Sequence, residues 1–347
     1  MSTRDGDAIV VGGGIIGCAV ARELSRRGAR IVILEARTVG AGATQASAGV
    51  LAPYIEAPGE GPLQALAVRS LAMYDEFVAD LVRDAGTPIE YRRCGTLEVA
   101  ADPAAALRLL ALGEWVRSKG VDAQWVNAAD VTRLEPAMGR TEGALLVPSH
   151  GYVRAAELTA ALLAAARRGG AVFHSERRVE NIAFDGDDVT VMAGGTSYRA
   201  GTLVIAAGSW SGVLGAPAVK PVRGQLLQLR WTGPPITRVL WSDGCYIVPW
   251  VNGMLLVGAT VEDVGFDERV TASGVQALLA AASALLPGVR DATFVEARAG
   301  LRPATPSGLP IIARSAEHPS VIYATGHYRN GILLAPLTAQ LVADLVL

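Results

Sequence analysis

Glycines at positions 12, 14 and 17, followed by Glu35, form the first group of residues whose spacing could do chemistry. In G-x-G-x-x-G the glycines let backbone approach a diphosphate, the free N–H groups of the following helix face the anion, and a later carboxylate takes ribose hydroxyls. Glu35 stands 18 residues after Gly17. With 39 glycines in 347 residues a bare triplet arises from composition alone, so the pattern counts only between a strand and a helix. A second group is Gly40 to Gly49, ten consecutive small or short polar residues including Ala43, Thr44, Gln45 and Ala48. Such a run lets backbone lie against a large flat ligand, although a flexible linker has the same composition. Arg302 stands alone in the apolar and small stretch Gly300 to Ala304, where a guanidinium needs an anion: a bound carboxylate or a structural Asp or Glu. Tyr246, in the β-type run CYIVP, reads by itself as a core aromatic. Gly326 to Pro336 sets the polar turn His327, Tyr328, Arg329 and Asn330 ahead of Gly331, Ile332 and Leu333, at the start of a helix whose positive end favours negative charge.

The elements that must position these residues follow from periodicity. Ala8 to Val11 is an apolar strand, Cys18 to Arg27 has helical character and Arg30 to Glu35 is a second β-branched strand, so the glycine triplet and Glu35 fall where a βαβ unit needs them. An ADP-bearing cofactor is therefore expected. Helices are expected over Leu63 to Val82, Pro103 to Lys119, Glu157 to Arg168, Val270 to Leu286 and Gly331 to Leu345. Leu203 to Gly208 reads as a buried strand returning to the first sheet, with Val321 to Gly326 a further strand. Arg223 to Trp231, Cys245 to Val251 and Met254 to Ala259 read as antiparallel strands, the last two joined through Asn252-Gly253. The expected fold is mixed α/β: a Rossmann-like cofactor domain from 1–85, 145–222 and 296–347, and a mainly antiparallel substrate domain from 86–144 and 223–295.

Composition removes other classes. Lys and Arg number 31 against 33 Asp and Glu, which leaves no basic footprint for nucleic acid. Three cysteines, Cys18, Cys94 and Cys245, lie far apart and form neither a disulfide framework nor a metal site. Asp5 and Asp7 precede the N-terminal apolar stretch and four glycines interrupt it, and no apolar run reaches the ~18 residues of a membrane span, so a cytoplasmic location is expected.

Several ordered segments are more specific: GGGIIG with Glu35, ASAGVLAP, LVIAAGSW, CYIVP, VGAT, AGLRPATPSGLPII and ATGHYRNGILLAPLTAQLVADL. Together they resemble the glycine oxidases of the FAD-dependent D-amino-acid oxidase family, the branch associated with thiamine biosynthesis. The resemblance runs from about Ala8 to the end and implies FAD, bound non-covalently because no cysteine lies near Arg302 or in the C-terminal part. It implies FAD contacts at Ile15, Ile16, Glu35, Ala36, Ala43, Thr44, Ala48, Gly49, Val50 and the backbone of Val179, beside Gly12, Gly14, Gly17, Gln45 and Gly208. It places His327 to Leu333 around the isoalloxazine, Arg302 on a substrate carboxylate, Tyr246 in support and Arg329 at the substrate site. The implied reaction is oxidation of glycine, sarcosine or a small D-amino acid by oxygen, with handover to a thiazole synthase and homo-oligomerisation. A dehydrogenase serving a membrane acceptor and a non-catalytic flavin-binding subunit are the alternative readings. Val50 stands where some members carry methionine and Gly244 where some carry histidine.

Overall fold

A computed structural model describes residues 4–186 and 188–347. The four residues of strand Ala8–Val11 are all buried, and alternate side chains enter two different cores. Ala8 and Val10 face the helices Ile15–Arg26, Ala155–Arg168 and Gly331–Val346, whereas Ile9 and Val11 face a three-stranded antiparallel layer, 179–200. This two-sided burial explains why the strand reads as a continuous apolar run. It lies inside a six-stranded sheet ordered 311–314, 321–325, 202–205, 8–11, 31–34, 172–174. All neighbours are parallel except the edge strand Ile311–Arg314.

The second large sheet has eight strands, ordered 293–304, 220–230, 254–258, 246–249, 239–241, 96–100, 143–147, 124–127. Its pairs are antiparallel apart from Val239–Trp241 with Thr96–Ala100. Period-two alternation again divides the faces. Leu227, Ile247 and Val257 pack with Leu278, Ala282 and Leu285 of helix Ala272–Leu285, while Leu226, Val248 and Leu256 turn toward Ala48, on the side of the first sheet.

Two expectations differ from this arrangement. The expected helix 63–82 is two helices, Pro62–Ala72 and Tyr74–Ala85. Met73 donates to the Ser70 carbonyl, an i→i−3 bond that tightens the chain there, while the buried positions 67, 71, 74, 78 and 81 keep their phase and conceal the break. The division points 144/145, 222/223 and 295/296 fall inside the strands Gly143–Val147, Lys220–Arg230 and Thr293–Ala304. Residues 145–147, 220–222 and 296–304 thus belong to the eight-stranded sheet, whose strands run unbroken through these points.

Candidate active site

A cavity of roughly 810 Å³ lies between the two sheets. At one end Glu35 follows strand Ile31–Leu34, and its carboxylate accepts from the N–H groups of Gly13 and Arg37, each at 2.7 Å. Gly12 makes the turn with φ +111°, and a Cβ at Gly17 would collide with the Gly12 carbonyl oxygen, so Gly17 lets the helix press onto the strand. Gly14 caps the helix without a side-chain hydrogen bond, while Thr44 Oγ1 accepts from Ile15 N–H at 3.1 Å. Gly12, Gly14, Ile15, Ile16, Glu35, Ala36 and Val179 line this end.

The small-residue run forms the middle of the wall and is packed, which removes the linker reading. Residues Ala43–Ala46 form a 3-10 turn against strand Thr293–Ala304, where a Cβ at Gly300 would lie 2.8 Å from Ala46 Cβ. Ala43, Thr44, Ala48, Gly49, Val50 and Gly208 face the cavity.

At the far end stand Tyr246, Arg302, His327, Tyr328, Arg329, Gly331 and Ile332. Tyr246 lies opposite Gly258, and Arg302 folds over Gly224 on the adjacent strand; a Cβ at either glycine would strike that side chain. Arg302 Nη1 donates to the Thr260 carbonyl at 2.9 Å, and among the described residues no carboxylate pairs with Arg302. The structural ion pair that composition allowed is absent. Burial pushes the Tyr246 phenol up, partly opposed by Arg302, so it is neutral at ordinary pH. His327 is buried with Nε2 3.0 Å from Thr338 Oγ1 and Nδ1 without a partner; burial pulls it down to about 3, which keeps it neutral.

Four sequence candidates lie off the cavity wall. Gly17 acts through packing as described, and Gln45 is exposed, with its carbonyl 2.9 Å from Arg298 Nη1. Leu333 is in the first core, and Asn330 is the buried cap of helix Gly331–Val346, its Oδ1 unpartnered.

Sequence reasoning missed Glu56, which closes the one-turn helix Pro53–Glu56. It pairs twice with Arg329, Oε2 to Nε at 2.9 Å and Oε1 to Nη2 at 3.2 Å. Burial pushes the Glu56 carboxyl up and Arg329 pulls it back, with a net rise. The signal available was an acid in the apolar stretch Tyr54 to Pro58. Also missed was a strap across the cavity wall, where Arg37 pairs with Glu268 at 2.9 Å and lies 4.9 Å from the Trp210 ring, itself beside Phe266. Its partners are too far apart in sequence to leave a local pattern.

A long cavity with a carboxylate suited to ribose, a helix start whose Gly14 cap makes no side-chain bond, a small-residue wall and a second helix start beside the buried, unpartnered Nδ1 of His327 fits an extended dinucleotide with a flat polar ring. Residues 7–345 match the family described as FAD dependent oxidoreductase. The chain belongs to that family. It is 37% identical to the glycine oxidase of Geobacillus kaustophilus (strain HTA426), over 98% of this chain and 92% of that protein. The crystal structure of glycine oxidase from Geobacillus kaustophilus superposes with a TM-score of 0.95 at 36% identity, covering 99% and 95% of the two chains. The bifunctional protein ThiO/ThiG of Nostoc sp. is also 37% identical, over 98% of this chain but 52% of its own length. The chain is thus an FAD-dependent oxidoreductase. Among the described residues no helix is long and apolar enough to cross a membrane.

Proposed function

We propose that the chain oxidises glycine, and with it sarcosine or small D-amino acids, to the imine, which water converts to the 2-oxo acid and ammonia while oxygen becomes hydrogen peroxide. The observation that carries this reading is Arg302, a guanidinium at the cavity end with no ion-pair partner among the described residues and with Tyr246 near it. A planar fork of N–H donors suits a carboxylate bidentately. With Thr260 holding Nη1, the remaining donors orient the substrate carboxylate, and the Tyr246 hydroxyl donates to the same group.

Bound there, FAD would supply the two-electron acceptor for the hydride equivalent leaving the substrate α-carbon, with oxygen as the final acceptor. Glu35 would take the adenosine ribose, the helix start at Gly14 to Ile16 the diphosphate, and the helix start at Gly331 the electron-rich edge of the ring, all without a covalent link. The chain supplies orientation more than proton transfer: Glu56 is tied to Arg329, and His327 is neutral and bonded to Thr338. The amine lone pair drives loss of hydride from the α-carbon, so the substrate reacts with its amine neutral.

The same reading divides the chain into a cofactor part built on the six-stranded sheet and a substrate part built on the eight-stranded sheet. It places the protein in the cytoplasm as a homo-oligomer that supplies thiazole synthesis for thiamine, in keeping with the name of the Nostoc relative.

Glycine should yield peroxide, glyoxylate and ammonia in equal amounts. Arg302→Ala should keep its FAD while kcat/KM for glycine falls on the order of 10²-fold or more. Glyoxylate formed with a dye but without peroxide would indicate the dehydrogenase, no turnover of any amine would indicate the non-catalytic subunit, and unchanged kinetics would remove Arg302 from the site.

A further inference from the structure

Two arginines, Arg302 and Arg329, face the substrate end of the cavity, and they are not equivalent. Arg302 rests on the Thr260 backbone carbonyl and forms no ion pair among the described residues, although it lies close enough to Glu56 to pull that carboxyl down. Arg329 is held at two points by Glu56 and lies 5.9 Å from the Trp241 ring. The Glu56 side chain is 10% exposed and the Arg329 side chain 34%, so the acid is the more deeply set partner and solvent screens the pair incompletely. Tyr246 is neutral and His327 is neutral, so neither changes the balance. Of the other charged groups on the wall, Glu35, Arg177, Arg178 and Glu180 sit at the opposite end around Val179, two of each sign, and Arg37 pairs with Glu268. The substrate end therefore carries one net positive charge.

We propose that Glu56 determines substrate charge: by occupying Arg329 it leaves Arg302 as the one cation on offer and restricts the site to amines bearing a single anionic group. The proposal rests on the amino-acid oxidase reading above. A reacting glycine, with carboxylate charged and amine neutral, carries one negative charge and meets one positive charge. A dicarboxylic amine such as iminodiacetate brings a second carboxylate that Arg302 cannot also balance, and that second group faces the Glu56 carboxylate. Burying a like-charge pair without compensation disfavours the complex strongly, which is how one fixed acid can discriminate between substrates of equal length. Glu56 acts here on specificity through Arg329 and takes no part in the bond changes.

The test uses the flavin-loaded protein and equilibrium binding, read as perturbation of the flavin absorption by glycolate, a monoanion, and malonate, a dianion. In Glu56→Gln the ratio of malonate to glycolate affinity should rise about tenfold, and the ratio of kcat/KM for iminodiacetate over glycine should rise with it. Glu56→Asp, which keeps the charge, should hold the native ratio. Arg329→Gln leaves Glu56 an unpaired anion and should move the ratio in the opposite direction, which gives a second reading should Glu56→Gln fail to hold its flavin. In the double variant Glu56→Gln, Arg329→Gln the gain should vanish. An unchanged ratio in both single variants, or a gain that survives in the double variant, would overturn the proposal while glycine turnover by the native protein stands. A native protein that neither binds glycolate nor oxidises glycine would overturn the functional reading, and the proposal with it.

Discussion

Arg302 reaches the cavity because Gly224 on the neighbouring strand leaves room for its guanidinium and Thr260 turns a carbonyl toward it. As a lone charge in an apolar run it was legible as a guanidinium in need of an anion, with a bound carboxylate and a structural acid both open. Glu56 was not legible as the partner of Arg329, which lies 273 positions away with nothing local to mark the pair. The buried histidines bear on stability in the same residue-by-residue way. His150, stacked on Tyr54 and bonded to Thr96 Oγ1 at 2.8 Å, is pulled down to about 3 by burial, as is His327. Both stay neutral in the fold while the unfolded chain binds protons below about pH 6.5, so stability is full above that pH and falls as pH drops toward 3. Each should contribute a loss of about 2 kcal/mol between pH 7 and pH 5. Carboxylates held low, such as Glu262 beside Arg223, act in the same direction, and Glu98, pushed up to about 7 by burial, acts against it. Urea unfolding of the native chain and of His150→Gln at the two pH values separates these terms. The variant should lose less stability on acidification, and parallel losses would contradict the assignment.

Elements with strong local chemistry were read correctly: the βαβ start, the Asn252-Gly253 hairpin and the C-terminal helix each combine periodicity with a turn signal. The break at Met73 escaped because the apolar phase runs through it. The sheet to which the strands crossing 145, 222 and 296 belong is set by pairing partners distant in sequence: Lys220–Arg230 bonds both Met254–Gly258 and Thr293–Ala304. At this scale the packing of helix Ile15–Arg26 onto strand Ala8–Val11 is the feature most exposed to a single substitution. Gly17→Ala places a methyl group against the Gly12 carbonyl, which should force the helix outward, cost about 1–3 kcal/mol and reduce flavin content. Thermal unfolding together with the flavin-to-protein ratio checks this, and a variant with native values for both would show that the helix can shift without consequence.

For the whole molecule, the order of parallel and antiparallel segments along the chain was enough to anticipate a mainly parallel and a mainly antiparallel sheet built from interleaved segments. What it could not give was the wall itself. The Arg37–Glu268 pair, the Trp210–Phe266 contact and the Glu56–Arg329 pair join segments far apart in sequence, and such contacts exist only once both sheets are assembled. The cavity is thus a property of the assembled pair of sheets: Glu35 and the glycine turn belong to one and Tyr246 and Arg302 to the other, so on the proposed reading a substrate held by the second would meet a cofactor held by the first. The most direct test of that claim is the visible absorption spectrum of the purified protein before and after anaerobic addition of glycine. The account predicts a yellow protein whose flavin bands bleach on mixing and return when oxygen is admitted. Flavin bands that persist through glycine, sarcosine and the small D-amino acids would contradict it.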